Sequence, residues 1–227
     1  MEPRLARLLQ VLVEEYIETT EPVGSQHLVD RYDLEVSSAT VRNWCAELEE
    51  SGHLMQPHTS GGRIPTEEGF RTYVSLFVTP KSASKREREV LERAWNSAEE
   101  DDRRFKALAK ALSELSGQAA IVGHGSADTF YTGLSQLFSQ PEFRNWQQVV
   151  SLTEVLDRLD EALNALRRSD LGEPKILLGQ ECPFGPACTT IVCAGPNGCI
   201  GILGPLRMEY TVVANLLQSA YQLISAS

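Results

Sequence analysis

A stretch of 31 residues decides the fold of this chain: residues 36–66, VSSATVRNWCAELEESGHLMQPHTSGGRIPT. Ser37 and Ser38 favour the start of a helix, because a serine hydroxyl can accept a hydrogen bond from a free backbone N–H group. Apolar residues then recur at helical spacing and predict one buried face: Val41, Trp44, Cys45 and Leu48. Gly52 fits the position just past a helix end, where a left-handed backbone is needed. The stretch therefore predicts a capped helix followed by a short extended segment.

The other face of this helix and the loop after it are polar. Thr40, Arg42 and Asn43 lie near the start of the helix, and residues 57–65 form a Gly-rich loop whose only formal charge is Arg63. Such a helix suits reading of a DNA major groove, with the loop as a wing on the backbone or minor groove. An ordinary helix and hairpin in a small α+β domain fits the same pattern, and the residues alone favour neither interpretation.

The residues before this stretch predict two more helices. Residues 3–20 carry apolar side chains at intervals of three and four, which indicates an amphipathic helix. Ser25 is the expected cap of a short second helix. Three helices followed by a strand and a loop make a winged helix-turn-helix domain, with the helix-turn-helix at residues 25–50. Thr66 caps a further helix, and we predict that this domain spans residues 1–79.

The second half of the chain predicts an α+β domain. Residues 80–116 are charged and helical, with helix expected over 84–115, a solvated bend or helix face at residues 99–104 and a capping box at Ser84 and Glu87. This segment is a linker and the start of the second domain, which continues over residues 117–227. Strands and helices around an antiparallel sheet are expected there. The strands are predicted at 119–123, 175–179, 189–194 and 199–203, and the helices at 149–166 and 208–224.

Charge limits how the chain could meet nucleic acid. The chain has 227 residues, 21 basic and 31 acidic side chains and a formal charge of −10, which argues against broad attraction to nucleic acid or membranes. Residues 1–75 hold six Arg, no Lys and thirteen acids, yet residues 51–66 hold no acid. A helix that enters the groove by its N-terminus would keep Glu47, Glu49 and Glu50 away from the DNA. With few charged phosphate contacts per subunit, useful affinity would need a dimer on two half-sites.

Motifs of catalysis and of export are missing from the sequence. It contains no P-loop, GxGxxG, HExxH or GxSxG motif, so we expect neither an enzyme nor a bound cofactor. The first residues lack the shape of a signal peptide, and five Cys is an odd number, which favours a reduced cytoplasmic protein outside membranes. The four Cys between residues 182 and 199 lack the spacing of common zinc sites and are expected to be buried small side chains.

Four segments resemble one family, the heat-inducible transcription repressors called HrcA. They are YIETTEPVGSQHL (16–28), residues 36–74, GLSQLFSQPEF (133–143) and GCIGILGPLRMEY (198–210). The resemblance implies a winged-helix domain joined to a GAF-like regulatory and dimerisation domain. It also implies a homodimer on an inverted-repeat operator, CIRCE, upstream of heat-shock chaperone operons. In this family the chaperonin keeps the repressor active until heat-damaged proteins divert it.

The resemblance also places DNA-binding residues by position. In the recognition helix these are Ser37, Ser38, Thr40, Arg42 and Asn43, and in the wing they are His58, Thr59, Ser60, Gly61 and Arg63. Side-chain geometry favours Arg42 as a donor to guanine and Asn43 as a partner of adenine. A phosphate clamp for Arg42 and a plain surface role for Asn43 stay open.

The sequence departs from the family in one respect. Family members carry an inserted dimerisation segment in the GAF-like domain, and here residues 119–123 lead almost directly to Phe130. The dimer seam would then use residues 84–115, the final helix or the GPLRMEY segment. In that segment Arg207 and Glu209 would otherwise be exposed or paired locally. The alternative function, suggested by the acidic first half, is a GAF-type ligand or redox sensor whose winged helix is a protein-interaction module.

Overall fold

The computed structural model describes residues 1–57, 61–124, 128–144, 172–196 and 198–226. The chain forms two compact units, Met1–Val78 and Thr79–Ser227. Within the described residues, no helix is both long enough and apolar enough to cross a membrane. The predicted helix at 149–166 lies outside these residues.

The first unit is a winged helix-turn-helix, as the sequence predicts. Its elements are α1 (Pro3–Thr19), α2 (Ser25–Tyr32), α3 (Ser38–Glu50), β1 (Leu54–Met55), β2 (Ile64–Pro65) and α4 (Glu67–Phe77). The two short strands are antiparallel, with Leu54 opposite Pro65. Apolar residues at helical spacing meet in a core between the helices, which includes Leu8, Leu12, Leu28, Val41, Leu48 and Phe70.

Short-range signals set most helix ends of this unit. The Ser37 side chain caps α3 by accepting a hydrogen bond from the Thr40 backbone N–H group, and Thr66 caps α4 in the same way. Gly52 has a φ of +78°, as expected after a helix end. The prediction for α2 was wrong by one residue: Ser25 is the first helical residue, and the cap position is Gly24, which has no side chain to donate or accept.

The second unit is an α+β domain with a five-stranded antiparallel sheet. Its helices are α5 (Lys85–Trp95), α6 (Asp101–Ser116), α7 (Leu134–Ser139) and α8 (Tyr210–Ser225), and short 3-10 turns lie at Pro141–Arg144 and Gly179–Glu181. Its strands are β3 (Ala119–His124), β4 (Asp128–Thr132), β5 (Lys175–Leu178), β6 (Cys188–Gly195) and β7 (Gly198–Pro205). The spatial order is β4-β3-β7-β6-β5. These elements confirm the predicted GAF-like α+β fold.

The two faces of the sheet have separate apolar cores. One face packs against α6 and α8, and the Cys193 thiol on this face reaches the Leu217 carbonyl oxygen of α8. The other face carries Ile121, Cys199 and Leu203, which pack with Leu137 of α7 and with other buried residues. Successive side chains of a strand point to opposite faces of the sheet. Both faces are apolar because successive residues of these strands are buried.

Residues 84–115 form two helices, which favours the bend over the continuous helix face among the two expectations for the charged block at 99–104. The capping box at Ser84 and Glu87 is present at the start of α5. The chain then turns between α5 and α6, and Trp95 packs edge-on against Phe105 with ring centroids 5.3 Å apart. The alternative of an exposed Arg207 does not hold, because its side chain is 12% exposed and its guanidinium contacts Glu142.

All five cysteines are buried and free. Burial raises the pKa of Cys45 to about 11 and that of Cys188 to about 12. Since the thiolate is the reactive form, these thiols lack the microenvironment of a redox-sensing cysteine. In the part of the chain that the structure describes, no group of three or more His, Cys, Asp or Glu could hold a metal ion.

Candidate nucleic-acid interface

The solvent face of α3 presents a narrow stripe of residues. Ala39, Arg42 and Asn43 are exposed, and Ala46 is half-buried on the same side. These positions follow the spacing i, i+3, i+4 and i+7, which puts them on one face of a helix. The two alanines leave Arg42 and Asn43 as the longest side chains of the stripe. A surface of this shape can approach the edges of bases in a groove.

Two of these four residues were not in the predicted set. Ala39 and Ala46 were not predicted, because alanine carries no polar group that would indicate a contact. Their spacing from Arg42 was nevertheless a usable signal, since a helix that buries Val41, Cys45 and Leu48 must expose positions 39, 42, 43 and 46.

The hydroxyl groups at the start of α3 hold the helix end. The Ser37 Oγ atom accepts from the Thr40 backbone nitrogen at 3.2 Å and lies 2.9 Å from the Thr40 Oγ1 atom. Ser37 is exposed, whereas Ser38 and Thr40 are half-buried. Of the five predicted residues, Ser37, Arg42 and Asn43 are exposed, and Arg42 and Asn43 have the longer side chains.

Arg42 is one of two arginines of the first unit that have no carboxylate partner among the described residues. Four of the six arginines in the unit contact Glu side chains; these are Arg4, Arg31, Arg63 and Arg71. Arg7 donates to the Gln10 side chain. Arg42 makes no hydrogen bond or ion pair with any residue that the structure describes. The acidic composition of the unit therefore does not cancel the charge at the centre of the exposed stripe.

Two of the three carboxylates of α3 pair with arginines from outside this helix. Arg4 donates to Glu47 at 3.0 Å, and its guanidinium carbon lies 5.6 Å from the centre of the Trp44 ring. Arg63 donates from Nε to Glu49 Oε2 at 2.9 Å. The second contact joins Glu49 to the wing, a pairing that the expectation of carboxylates held away from the DNA did not include.

The wing is fixed at its base by the turn before α2. The Arg63 N–H group donates to the Val23 carbonyl oxygen at 2.9 Å, and the Val23 N–H group donates back at 2.8 Å. The Arg63 side chain is 19% exposed, so it is not a freely mobile wing cation. Gly61 accepts from the Gln56 amide at 3.2 Å. The predicted wing residues His58, Thr59 and Ser60 lie outside the described residues.

A cleft of about 590 Å³ lies between α2, α3 and the wing. Arg42 lines one side of it, and Gly61 and Arg63 line another. The cap residue Gly24 and the first residue of α2, Ser25, also line it. The first turn of α2 has no side-chain cap, so no side chain accepts a hydrogen bond from its first backbone N–H groups. A helix N-terminus of this kind favours an anion.

A buried carboxylate holds α2 in place. Glu15 of α1 is 1% exposed and lies at hydrogen-bond distance from three groups of α2: Tyr32 Oη (2.8 Å), His27 Nε2 (2.7 Å) and Arg31 Nη1 (2.9 Å). Burial opposes ionisation of this carboxyl, but the hydrogen bonds from Tyr32 and His27 and the charge of Arg31 outweigh it, so its pKa is lowered. The ionised Glu15 thereby fixes the helix that begins the helix-turn-helix.

Comparison with known proteins identifies the family of this chain. The family model described as HrcA protein C terminal domain matches residues 71–213, which is more than half of the sequence. The chain belongs to the HrcA family. The heat-inducible transcription repressor HrcA of Arthrobacter sp. (strain FB24) is 42% identical over 121 residues, covering 53% of this chain and 36% of that protein.

The HrcA repressor of Mycolicibacterium gilvum (strain PYR-GCK) extends the match to 192 residues at 33% identity, covering 84% of this chain and 56% of that protein. This HrcA-family chain thus aligns with about a third to a half of the length of these relatives. Its fold is similar to that in a crystal structure of a hypothetical protein at 2.2 Å resolution, with a TM-score of 0.76 and 18% identity. That likeness covers 100% of this chain and 97% of the other.

Proposed function

We propose that this HrcA-family chain is a sequence-specific DNA-binding repressor of heat-inducible chaperone genes. The observation that carries the proposal is the exposed stripe of α3, in which Arg42 has no carboxylate partner among the described residues. The names of the relatives, which call them heat-inducible transcription repressors, support the same function.

In this proposal the N-terminal half of α3 enters the major groove. Arg42 donates two hydrogen bonds to guanine, and Asn43 pairs with the edge of adenine. Ala39 and Ala46 keep the helix surface low, and an alanine methyl group can also contact the methyl group of thymine. Ser37, Ser38 and Thr40 lie at the helix start, where hydroxyl and backbone groups can contact a phosphate.

The cleft beside α3 would receive the sugar-phosphate backbone. The uncapped first turn of α2 offers backbone N–H groups, and helix N-termini favour anions. Gly61 and Arg63 approach the same cleft from the wing. We propose that residues 58–60 of the wing also contact the DNA.

Affinity in this proposal comes from two copies. One unit offers few arginines without a carboxylate partner among the described residues, so it would bind a single half-site weakly. A homodimer on an inverted repeat doubles the contacts and matches a two-fold protein to a two-fold operator. We propose that a chaperonin modulates this repressor, as the family resemblance implies.

The test compares wild-type protein on three duplexes: an inverted repeat from upstream of chaperone genes, one half-site of it, and a scrambled sequence. We expect the inverted repeat to bind most tightly, with a shallow dependence on salt because few Lys and Arg are available. Equal affinity for the inverted repeat and the scrambled duplex would refute the proposal. Repeating the assay with chaperonin, before and after brief heating, tests the regulatory part separately.

A further inference from the structure

The ion pair between Glu49 and Arg63 joins the recognition helix to the wing. The Arg63 Nε atom donates to Glu49 Oε2 at 2.9 Å, with 19% of the Arg63 side chain and 36% of the Glu49 side chain exposed. The backbone of Arg63 is held by its two hydrogen bonds to Val23. Both ends of Arg63 are therefore fixed, and Arg63 is one of the residues that line the cleft.

Glu49 also lies near the proposed reading surface. It follows Arg42 by seven residues, or about two turns, so both residues lie on similar sides of α3. A phosphate that enters the cleft would meet Arg63 together with the carboxylate that neutralises it. The pair as a whole offers no net positive charge to the DNA backbone.

This arrangement bears on sequence discrimination. Attraction between cations and phosphates is the sequence-independent part of DNA affinity, and it scales with the number of phosphates neutralised. Contacts to base edges supply the part that depends on sequence. A carboxylate that cancels a backbone-facing cation lowers the first part and leaves the second part in place.

We infer that Glu49 sets specificity by cancelling the charge of Arg63 and so suppressing binding to DNA of arbitrary sequence. The inference rests on the proposed function and adds a role for a residue that contacts no base. Glu49 has a second conceivable effect, which is to aim Arg63 at a phosphate. The two effects have opposite signs, because loss of aiming weakens binding and loss of cancellation strengthens it.

Glu49→Gln separates these effects. The amide oxygen of Gln can still accept from Arg63 Nε, so the geometry is kept while the negative charge is removed. The matched control is Glu47→Gln, which removes one charge from the same helix at a residue that pairs with Arg4. Each protein is titrated with the inverted-repeat and the scrambled duplex at several salt concentrations.

We expect Glu49→Gln to bind the scrambled duplex about fivefold more tightly at low salt, the effect of about one unit charge at close range. Its plot of log affinity against log salt should be steeper by about 0.9. Glu47→Gln should change the scrambled affinity less than twofold. The double variant Glu49→Gln, Arg63→Gln should lose the gain, because the cation that was released is then gone.

Binding of the scrambled duplex by Glu49→Gln that is no tighter than binding by Glu47→Gln overturns the inference. Weaker binding also overturns it and shows that aiming dominates. If wild-type protein fails to prefer the inverted repeat but Glu49→Gln still gains affinity and salt dependence, the proposed function fails and the charge effect stands. If no variant binds any duplex, both fail.

Discussion

Arg207 and Glu142 lie 65 residues apart in the sequence and form one ion pair in the second unit. Arg207 Nε donates to Glu142 Oε1 at 2.6 Å, and Arg207 Nη2 donates to the Gln140 side chain at 3.0 Å. The two charged side chains are only 12% and 24% exposed. The contact joins the segments GLSQLFSQPEF and GCIGILGPLRMEY.

Arg207→Ala should lower the free energy of unfolding of the second unit by about 1–3 kcal/mol, because Glu142 would keep a largely buried charge without its donor. Glu142→Gln should cost a similar amount, and the double variant should cost less than the sum. Hydrogen exchange of the amides of α7 and β7 in increasing urea measures the effect.

The control for this pair is Arg103→Ala. Arg103 contacts Glu100 at 3.1 Å, but both side chains are at least 70% exposed. Such a surface pair contributes about 0–1 kcal/mol, so little change is expected. Equal costs at Arg207 and Arg103 would mean that the inter-segment pair is no more than a surface contact.

Arg42→Ala should weaken binding to the inverted repeat by about 1–3 kcal/mol if the guanidinium reads a base, and it should relax the preference at that base pair. Titration of duplexes with each of the four base pairs at one position measures both effects. Arg7→Ala is the matched control, since Arg7 is an exposed arginine of α1 that donates to Gln10. Uniform weakening on every duplex would instead identify Arg42 as a phosphate clamp.

Local features of the sequence predicted much of this fold, and distant contacts account for what it could not predict. The cap at Ser37 and the turn at Gly52 depend on neighbouring residues, and both were predicted correctly. The partners of Arg63 and Arg207 come from 14 and 65 residues away, and no periodic pattern indicates which carboxylate an arginine will meet. The same limit applies to the order of the strands, since strand positions leave the pairing partners open.

In the candidate site, too, features that depend on neighbouring residues were predicted and features that depend on distant contacts were not. Helical spacing was sufficient to place Arg42 and Asn43 on an exposed face. The pairing of Arg63 with Glu49 could not be predicted, because a strand and a loop separate the two residues in the sequence. The resemblance to a family indicated which residues to consider, while only the three-dimensional contacts distinguished Arg42 from the arginines that meet carboxylates.

Glu15→Gln should destabilise the first unit by about 1–3 kcal/mol near neutral pH, because three donors of α2 would lose their carboxylate. The folded pKa of Glu15 is lowered, so its ionisation adds stability above the unfolded value of about 4.3. That contribution is lost as the pH falls through the folded pKa. The difference between wild type and variant should therefore shrink in acid.

Hydrogen exchange of the amides of α1 and α2 between neutral pH and pH 3 tests this dependence. Glu18→Gln is the control, because Glu18 also contacts Arg31 but is 62% exposed. It should change the stability of the unit little at any pH. A constant difference between wild type and Glu15→Gln across this range would contradict an ionised Glu15 in the folded unit.

Gly62→Ser should displace the wing. A Cβ atom at Gly62 would lie 2.4 Å from the carbonyl carbon and oxygen of Val23, which is far closer than atoms can approach. The backbone pairing of Val23 with Arg63 would have to open, so binding to every duplex should weaken together with the protection of these two amides from hydrogen exchange.

Gly24→Ser is a matched control for stability alone, since a serine cap would also accept from the α2 backbone N–H groups that the proposal assigns to a phosphate. A Cβ atom there meets no heavy atom within 4 Å, and Gly24 occupies the cap position of α2. A serine at this position can supply the missing cap and should raise the free energy of unfolding by a few tenths of a kcal/mol, roughly the cost of replacing a serine cap by glycine. If Gly62→Ser kept the Val23–Arg63 pairing and the wild-type affinity, the close packing of the wing against the turn before α2 would not be required for DNA binding.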